Sequence, residues 1–575
     1  MHLNEAARAY DGLEVVCNLH EQASAISAEA YGRLTGTGGL AIVTTGPGST
    51  NAITGLLGAW QDSTPCVFLS GQVKRPDLIG DSGLRQRGVQ EVDIISMVRS
   101  ITKYAVTILE PSTTRFHLEK ALHLALSGRP GPVWIDVPLD VQASQIEWEG
   151  LSGYEPDATA VRVDLSTPIA KTISLLQKAE RPVFLAGNGI RVAGARQLLI
   201  DAIEKIGIPV LTTWPATDIF DSRHPLYFGR PGGIAPRGAN FTVQNCDFLL
   251  AVGARLDLPT TGYSHQNFAR AAKKIIVDID PAELKKFKMP VDVPICSDAK
   301  DFLNELLRAA SNSGGFSSWE PWKKRCREWK TKYPLVTDEN RKADGPIGTL
   351  FLSETMCSVL DEDACVVITS AGAASELFYL AFQAKGNQRV IHNRGTGAMG
   401  FALPQAIGAC YAFEKKKRII CVDGDGGIQF NVQELATIAA YKLPITIFVM
   451  SNAGYASIRA SQKRYFGQMI GADAQSGLHL PDIEKVSQAY GIPTSTVTRP
   501  AELKEVIQSA LKHQGPFLCN IEINPSELRA PCLSSRQLAD GSMVSTPLED
   551  LWPFLDRKEF LENMIIPPLP ESIAK

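Results

Sequence analysis

A glycine-rich turn that contains one aspartate, followed later by an asparagine, is the pattern in this sequence with the clearest chemistry. Asp425 lies within the run 424–427, Gly-Asp-Gly-Gly, and Asn452 lies further along the chain. Carboxylate and amide oxygens are ligands that Mg²⁺ or Ca²⁺ prefers. Glycine lets backbone N–H groups approach a phosphate closely. These residues predict a site for a diphosphate and a divalent cation, with an ordinary strand-to-helix turn as the competing interpretation.

Two apolar strands are predicted to carry the aspartate and the asparagine to one place. Residues 418–422 form a short run rich in β-branched side chains directly before the turn, and residues 444–450 form a second one just before Asn452. A helix is predicted between them, over Asn431–Tyr441. Because neighbouring parallel strands end at the same edge of a sheet, we expect Asp425 and Asn452 to meet there.

The order of strand, Gly-Asp-Gly turn, helix, second strand and asparagine resembles the signature of enzymes that depend on thiamine diphosphate (ThDP). The chain, apart from a missing start and a divergent tail, is similar to the catalytic subunit of acetolactate synthases. The resemblance implies that Mg²⁺ is held by the side chains of Asp425 and Asn452 and by the carbonyl oxygen of Gly454. It also implies a set of ThDP contacts in this part of the chain, namely Gly372, Gly397, Met399, Gly424, Gly426, Gly427 and Ile458. Met399 would be wedged between the two rings of the cofactor.

A second group of candidate residues lies near the N-terminus. Glu21 opens a predicted Ala-rich helix that includes residues 23–34, and a Gly-Pro-Gly turn at residues 46–51 follows a predicted strand. Taken alone, these residues are typical of a favourable helix-dipole contact and of helix capping. The resemblance implies instead that Glu21 is the catalytic carboxylate, hydrogen-bonded to N1′ of the ThDP pyrimidine. The residues implied beside the pyrimidine are Gly46, Pro47, Gly48 and Asn51.

Gln90 and Lys103 are two further catalytic candidates. The resemblance implies that both side chains line the entrance of the active site. For Lys103, a solvated surface lysine is the alternative interpretation, and the residues do not decide between the two.

The fold class is predicted to be α/β, with three Rossmann-like domains built on parallel sheets. The expected parts are an N-terminal pyrimidine-binding domain at 1–149, a central domain at 165–314, a diphosphate- and metal-binding domain at 347–525 and a C-terminal tail at 526–575. Linkers are predicted over about 145–164 and about 317–346. The tail either closes over the active site or packs on the surface.

The start of the chain departs from the family pattern. Members begin with a further strand and a Gly-rich turn before the segment that resembles residues 1–6. Either the start was assigned at an internal Met, or the first sheet lacks one strand. A missing strand would expose an apolar sheet edge.

In the central domain, strand ends carry glycine or acidic residues, which is typical of a Rossmann-like arrangement. Acetolactate synthases hold a non-redox FAD there, and the matching positions are Gly253, Arg255, Asp278, Asp298 and the turn 229–232. This domain has no GxGxxG motif, and Pro259 stands where the family has a second arginine. The sequence therefore leaves open whether the central domain binds FAD.

Composition excludes several classes of function. The 575 residues carry a formal net charge of −3, so nothing favours nucleic acid or an anionic membrane as a partner. No apolar run reaches the length of a membrane span, and no signal-peptide pattern is present. The 11 cysteines form no CxxC pair, which favours reduced thiols and a cytoplasmic enzyme.

The resemblance implies decarboxylation of the 2-keto acid pyruvate and transfer of the two-carbon acetyl unit to a carbonyl acceptor. It also implies a homodimer or homotetramer with the active site at the subunit interface, whereas a regulatory small subunit is not indicated. Three alternatives stay open: acetyl transfer to a keto sugar in branched-sugar biosynthesis, decarboxylation or oxidation without ligation, and a non-catalytic remnant. Ser461 replaces a pocket tryptophan and Ala373-Ala374 replace Gln-His, which predicts a roomy acceptor pocket.

Overall fold

The computed structural model describes residues 1–156, 163–369, 371–537 and 543–573, and these contain three sheets with parallel strands. The chain divides into two compact units. The first comprises residues 1–160, 364–375 and 391–525, and the second comprises residues 161–363, 376–390 and 526–575. The prediction of an α/β fold with three parallel-sheet domains is confirmed.

The first sheet, in the first unit, has the strand order β1-β2-β4-β3 and is parallel throughout. Its strands are β1 Gly39–Val43, β2 Cys66–Gln72, β3 Tyr104–Thr107 and β4 Pro132–Pro138. The helices in this part of the chain are α1 His2–Ala9, α2 Glu21–Thr35, α3 Pro47–Asn51, α4 Ile53–Gln61, α5 Ile94–Val98, α6 Thr114–Leu126 and α7 Leu139–Gln142. Strand β4 is buried along its whole length, which accounts for a sequence that is apolar except at Asp136.

The middle sheet belongs to the second unit and has the order β6-β5-β7-β8-β9. Its strands are β5 Pro182–Ala186, β6 Val210–Thr212, β7 Phe248–Val252, β8 Lys273–Asp278 and β9 Val293–Cys296. The helices that follow in chain order are α8 Ser166–Lys178, α9 Gly189–Val192, α10 Arg196–Ile206, α11 Arg237–Gln244, α12 Leu258–Thr261, α13 Pro281–Lys285, α14 Ala299–Asn312, α15 Glu320–Lys332 and α16 Thr349–Val359. All pairs in this sheet are parallel.

The third sheet has the order β11-β10-β12-β13-β15-β14. Its strands are β10 Cys365–Ile368, β11 Arg389–Ile391, β12 Ile419–Gly424, β13 Ile445–Ser451, β14 Thr494–Val497 and β15 Phe517–Glu522. The helices here are α17 Ala373–Ala381, α18 Ala402–Ala412, α19 Glu434–Ala440, α20 Ala456–Tyr465, α21 Ile483–Ala489 and α22 Leu503–Lys512. A hairpin of β16 Ser535–Gln537 and β17 Met543–Ser545, then α23 Arg557–Asn563 and α24 Pro570–Ile573, end the described chain.

The stretch predicted as a second linker contains helix α15 instead. Trp322, Cys326 and Trp329 recur on one face of this helix and are buried in the apolar core of the second unit. The basic residues between them hide this spacing in the sequence. The linker prediction was therefore wrong for these residues.

The C-terminal tail packs within its own unit. Leu548 and Phe560 belong to the same core as Trp329. The fully buried side chain of Glu549 lies 2.7 Å from Arg270 and accepts a hydrogen bond from Gln244 Nε2. Some predicted tail and linker residues lie outside the described part of the chain, namely 538–542, 574–575 and 157–162, as does Ser370 at the end of a predicted strand.

The helix predicted over Asn431–Tyr441 starts later than expected. Residues Ile428–Asn431 form a 3₁₀ turn, and α19 begins only at Glu434. The prediction of one continuous helix from Asn431 was wrong, because the side chains of Asn431 and Glu434 bond to residues outside the helix.

Asp136 on β4 should make stability depend on pH. Burial raises the pKa of Asp136 to about 6, against hydrogen bonds from Ser70 Oγ at 2.5 Å and Gln72 Nε2 at 3.0 Å. A carboxyl group whose pKa is raised by folding stabilises the folded state at pH values below its ordinary pKa. This contribution is lost as the pH rises through about 6. Asp136→Asn, which stays neutral, should therefore gain about 3 kcal/mol of unfolding free energy relative to wild type between pH 4 and pH 7.

Urea unfolding across this pH range measures the difference. Asp140→Asn is the control, because burial is outweighed there by hydrogen bonds from Arg75 and the pKa of Asp140 is lowered. Its difference from wild type should stay constant over the same range. A constant difference for Asp136→Asn as well would contradict the prediction.

Candidate active site

The carboxyl edge of the third sheet brings the three predicted metal ligands together. Strands β12 and β13 are parallel neighbours, with Gly424 paired to Met450. Asp425 Oδ2 accepts hydrogen bonds from the backbone N–H of Asn452 at 3.0 Å and of Gly454 at 3.3 Å. The topological expectation that Asp425 meets Asn452 is therefore confirmed.

Two buried carboxylates lie at this turn. Burial raises the pKa of Asp425, against the backbone hydrogen bonds that its carboxylate accepts, and burial raises the pKa of Asp423 to about 7. Within the described residues, no Lys or Arg forms a salt bridge with either side chain, and Asp423 Oδ2 has no hydrogen-bond partner. A cation would offset the cost of burying this charge. Sequence reasoning missed Asp423, although it directly precedes the turn.

The glycines of the turn differ in what surrounds them. A Cβ on Gly426 would lie 2.2 Å from Tyr455 Cε1, so only glycine fits against that ring. At Gly424 a Cβ would meet nothing within 4 Å, so its backbone borders open space. Gly427 fits closely against the side chain of Asp423. The open space at Gly424 and the oxygen donors beside it fit a diphosphate held by a hard divalent cation.

Glu21 is the first residue of α2 and lies against the turn at residues 46–51. Its Oε2 accepts a hydrogen bond from Asn51 Nδ2 at 3.1 Å, and a Cβ on Gly48 would lie 3.5 Å from its Oε1. Pro47 starts the short helix α3. The structure thus brings together Glu21 and the predicted pyrimidine-binding turn, at the carboxyl end of β1.

Gln90 lies beside the same turn through its backbone. A Cβ on Gly46 would lie 2.0 Å from the Gln90 carbonyl oxygen, while the Gln90 side chain is exposed. Its neighbour Glu91 is buried and accepts hydrogen bonds from the N–H groups of Arg87 at 3.1 Å and Gly88 at 2.9 Å. Glu91 fixes this loop, and sequence reasoning missed it.

Lys103 lies at the other end of the first sheet. It precedes β3, and its N–H donates to the carbonyl oxygen of Pro132, where β4 begins. Its Nζ donates to the carbonyl oxygen of Ser127 at 2.6 Å, and burial lowers the pKa of its amine. Because Glu21 lies at the carboxyl edge of this parallel sheet, the single chain does not bring Lys103 to it.

The loop before α18 carries Gly397 and Met399. Gly397 adopts a φ of +60°, and the Gly400 carbonyl oxygen accepts a hydrogen bond from Asn431 Nδ2 at 2.8 Å. The Met399 side chain is half-buried. At Gly372 a Cβ would meet nothing within 4 Å, and Ile458 lies on α20, which has no buried residue.

The carboxyl edge of the middle sheet brings together the four residues matched to an FAD site. Gly253 follows β7, Asp278 ends β8, and Asp298 caps α14 after β9 by accepting a hydrogen bond from the Lys300 N–H at 2.7 Å. Arg255 Nε lies 3.7 Å from Glu283 Oε1.

The turn 229–232 of this domain carries a structural arginine. Arg230 is buried and donates to the carbonyl oxygens of Tyr379, Leu380 and Phe382, near the end of α17. Its guanidinium therefore satisfies helix-end carbonyls.

Comparison with known families matches at least a part of each of the three sheets. Residues 1–97 match the family described as thiamine pyrophosphate enzyme, N-terminal TPP binding domain. Residues 169–306 match its central domain, and residues 370–521 match its C-terminal TPP binding domain. Thiamine pyrophosphate is another name for ThDP.

Relatives named as acetolactate synthases match most of the chain. The probable acetolactate synthase large subunit of Methanocaldococcus jannaschii is 35% identical over 524 residues, which is 88% of this chain and 85% of that protein. The acetolactate synthase large subunit of Porphyra purpurea is 30% identical over 544 residues, or 92% of this chain and 89% of that protein. The chain belongs to the ThDP-dependent enzymes of the acetolactate synthase large-subunit type.

The candidate metal ligands of this ThDP enzyme include only one acidic side chain. No group of three His, Cys, Asp or Glu side chains within the described ranges is arranged to hold a metal ion. The candidate ligands of this ThDP enzyme are instead one carboxylate, one amide and one backbone carbonyl. Among the described helices, none is both long and apolar enough to cross a membrane.

Proposed function

We propose that this ThDP enzyme decarboxylates pyruvate and transfers the remaining two-carbon acetyl unit to a carbonyl acceptor, with release of CO₂. The observation that carries the proposal is the contact of Asp425 with Asn452 and Gly454 at one sheet edge. The names of the relatives support the same reaction class. Bound ThDP supplies the electron sink that makes loss of CO₂ and transfer of two carbons feasible.

The residues of the chain have separate tasks in this reaction. Asp425, Asn452 and the Gly454 carbonyl would hold Mg²⁺ and through it the diphosphate, since hard oxygen ligands suit that ion. Glu21 would orient the pyrimidine and exchange a proton at its N1′. Asn51 supports this role, because it donates a hydrogen bond to the Glu21 carboxylate at 3.1 Å.

Three finer assignments belong to the same proposal. FAD would bind at the edge formed by Gly253, Asp278 and Asp298, where the donor types fit a dinucleotide. Gln90 and Lys103 would line the entrance, which for Lys103 requires a second subunit. A cytoplasmic location is supported by the buried free thiols of Cys66, Cys246 and Cys421.

Product analysis tests the proposed function. The purified protein is incubated with pyruvate, ThDP and Mg²⁺, with and without candidate acceptors, and the products are identified by mass spectrometry. Acetolactate or another acetylated product, formed together with CO₂, is expected. Acetaldehyde or acetate as the only product would overturn the ligation step.

Mixing two inactive variants should restore activity if the site is shared between subunits. In a mixed dimer of Glu21→Gln and Asp425→Ala chains, one of the two sites receives both intact residues. Random assembly makes half of the dimers mixed, so about a quarter of wild-type activity is expected. Co-expression with two affinity tags and a pyruvate assay measures it. No recovery in the isolated mixed dimer would place each site within one chain.

The acceptor pocket should discriminate poorly between small 2-keto acids. Ser461 is exposed on α20, where the family has tryptophan, and its Oγ donates only to the Ile458 carbonyl oxygen at 3.1 Å. Few contacts are then available to select one extra methylene. Pyruvate and 2-ketobutyrate at equal concentrations should give products within about threefold of each other, and bulky ketones should be accepted.

Ser461→Trp should shift this product ratio toward 2-ketobutyrate by about tenfold, the lower end of what one methylene contributes in an apolar pocket. Ser457→Trp, on the same helix, is the matched control for a bulky substitution. An unchanged ratio in Ser461→Trp would show that this residue does not shape the pocket.

A further inference from the structure

The short segment from Asn431 to Glu434 contacts the chain on both sides of Glu21. Glu434 Oε1 accepts hydrogen bonds from the backbone N–H groups of Leu19 at 3.0 Å and His20 at 3.1 Å. Asn431 Nδ2 donates to Gln22 Oε1 at 3.0 Å. Glu21 therefore lies between two anchored neighbours.

The same segment also reaches two other groups of candidate site residues in this chain. Asn431 Nδ2 also donates to the Gly400 carbonyl oxygen at 2.8 Å, next to Met399. The 3₁₀ turn Ile428–Asn431 continues directly from the Gly-Asp-Gly-Gly turn that contains Asp425. Within one chain, this segment thus connects the catalytic carboxylate, the Met399 loop and the metal turn, whichever subunits complete each site.

The carboxyl group of Glu434, which holds the Leu19 and His20 amides, is buried. Glu434 is fully buried, and burial raises its pKa against hydrogen bonds from Thr437 Oγ1 at 2.7 Å and from the two amides. Within the described residues, no Lys or Arg forms a salt bridge with it. Burying a carboxylate without a cation is costly. Leu19 and His20 precede α2, so their N–H groups have no intrahelical acceptor, and Glu434 supplies one.

We propose that Glu434 and Asn431 are positioning residues that hold Glu21 in its productive place, a role that rests on the proposed function of Glu21. Misplacing a reacting group by about 1 Å costs on the order of 100-fold in rate. Neither residue needs to touch substrate to have this effect.

Glu434→Ala should lower kcat for pyruvate consumption about 100-fold, because both amides lose their acceptor. The KM for pyruvate and the affinity for ThDP with Mg²⁺, measured by calorimetry, should stay within about threefold of wild type. Glu434→Gln keeps one carbonyl oxygen that can accept from both amides. It should therefore recover kcat to within about tenfold of wild type, since a neutral acceptor is roughly half as strong.

A double-mutant cycle separates positioning from a general loss of stability. If Glu434 acts through Glu21, adding Glu434→Ala to Glu21→Gln should lower kcat by less than about threefold further, because the group it positions is already disabled. Multiplicative losses in the double variant would overturn the proposal.

Amide hydrogen exchange supplies a readout that needs neither cofactor nor turnover. In the protein without ThDP, the Leu19 and His20 amides should exchange at least about tenfold faster in Glu434→Ala than in wild type. Glu549→Ala is the control, because it removes a fully buried carboxylate from the second unit. It should lower the melting temperature while leaving kcat and these two amides unchanged.

The outcomes distinguish this proposal from the proposed function. Normal kcat in Glu434→Ala beside an inactive Glu21→Gln would overturn the positioning role alone. Unchanged exchange at Leu19 and His20 would also overturn it. Wild-type protein that does not consume pyruvate would instead remove the proposed function and this role with it.

Discussion

Replacing Glu21 by Gln should slow pyruvate consumption by about 10²–10⁴-fold, the usual contribution of a positioned acid–base group. The amide preserves the shape of the side chain and can still accept the hydrogen bond from Asn51. It cannot share a proton with a ring nitrogen. ThDP affinity should therefore stay near the wild-type value, so the loss should fall on kcat, which steady-state kinetics measure directly.

Glu320→Gln is the control for this experiment, because Glu320 is also the first residue of a helix but lies in the second unit. A glutamate that only favours the helix dipole contributes some tenths of a kcal/mol to stability and nothing to turnover. If Glu21→Gln behaved like this control, Glu21 would be a helix-start residue without a catalytic role.

Replacing Asp425 by Ala should abolish ThDP binding that depends on Mg²⁺. The diphosphate would lose the cation that offsets its charge, and the amides of Asn452 and Gly454 would lose their shared acceptor. Calorimetric titration with ThDP, with and without Mg²⁺, measures the effect. We expect no saturable heat at ThDP concentrations that saturate the wild-type protein.

Asp482→Ala tests whether any aspartate of the third domain would give this result. Asp482 caps α21 by accepting from the N–H of Glu484 at 3.1 Å, so its loss costs about 1 kcal/mol of stability. ThDP binding should be unchanged in this control. Unchanged affinity in Asp425→Ala would mean that Asp425 does not hold the metal.

The strands that form the candidate site were predictable because their signals are local. An apolar β-branched run that ends at glycine predicts a strand end, and the parallel arrangement then places Asp425 beside Asn452. That prediction needed only residue type, spacing and the rule that parallel strands share a carboxyl edge. The common site of Gly48 and Glu21 was implied only by the resemblance to ThDP enzymes, because both residues taken alone are typical of helix starts.

The buried hydrogen bonds of Glu434 and Asn431 could not be predicted, because their partners lie far away in the sequence. Glu434 bonds to Leu19, 415 positions away, and nothing near Glu434 marks it as buried. The same holds for Asn431 and Gln22, which are 409 positions apart. Local patterns carry no information about such pairs, so polar residues with buried structural tasks are read as surface residues.

The linker prediction for the residues of helix α15 was wrong for a different reason. Trp322, Cys326 and Trp329 have helical spacing, but six basic residues share the helix and lower its mean hydropathy. Packing of its apolar face into the core of the second unit then stabilises the helix, since helices gain most of their stability from such packing. A pattern scored by periodicity rather than composition would have found it.

Leu548 and Phe560 pack in the same core as Leu165, so residues far apart in the chain must all be synthesised before this core can form completely. The second unit cannot complete its core until roughly 400 further residues have been translated, which takes about 20–80 s at about 5–20 residues per second. Once translated, apolar strands such as Phe248–Val252 belong to a core that still lacks Leu548 and Phe560. We therefore expect the middle of the nascent chain to expose apolar surface until the last residues are made.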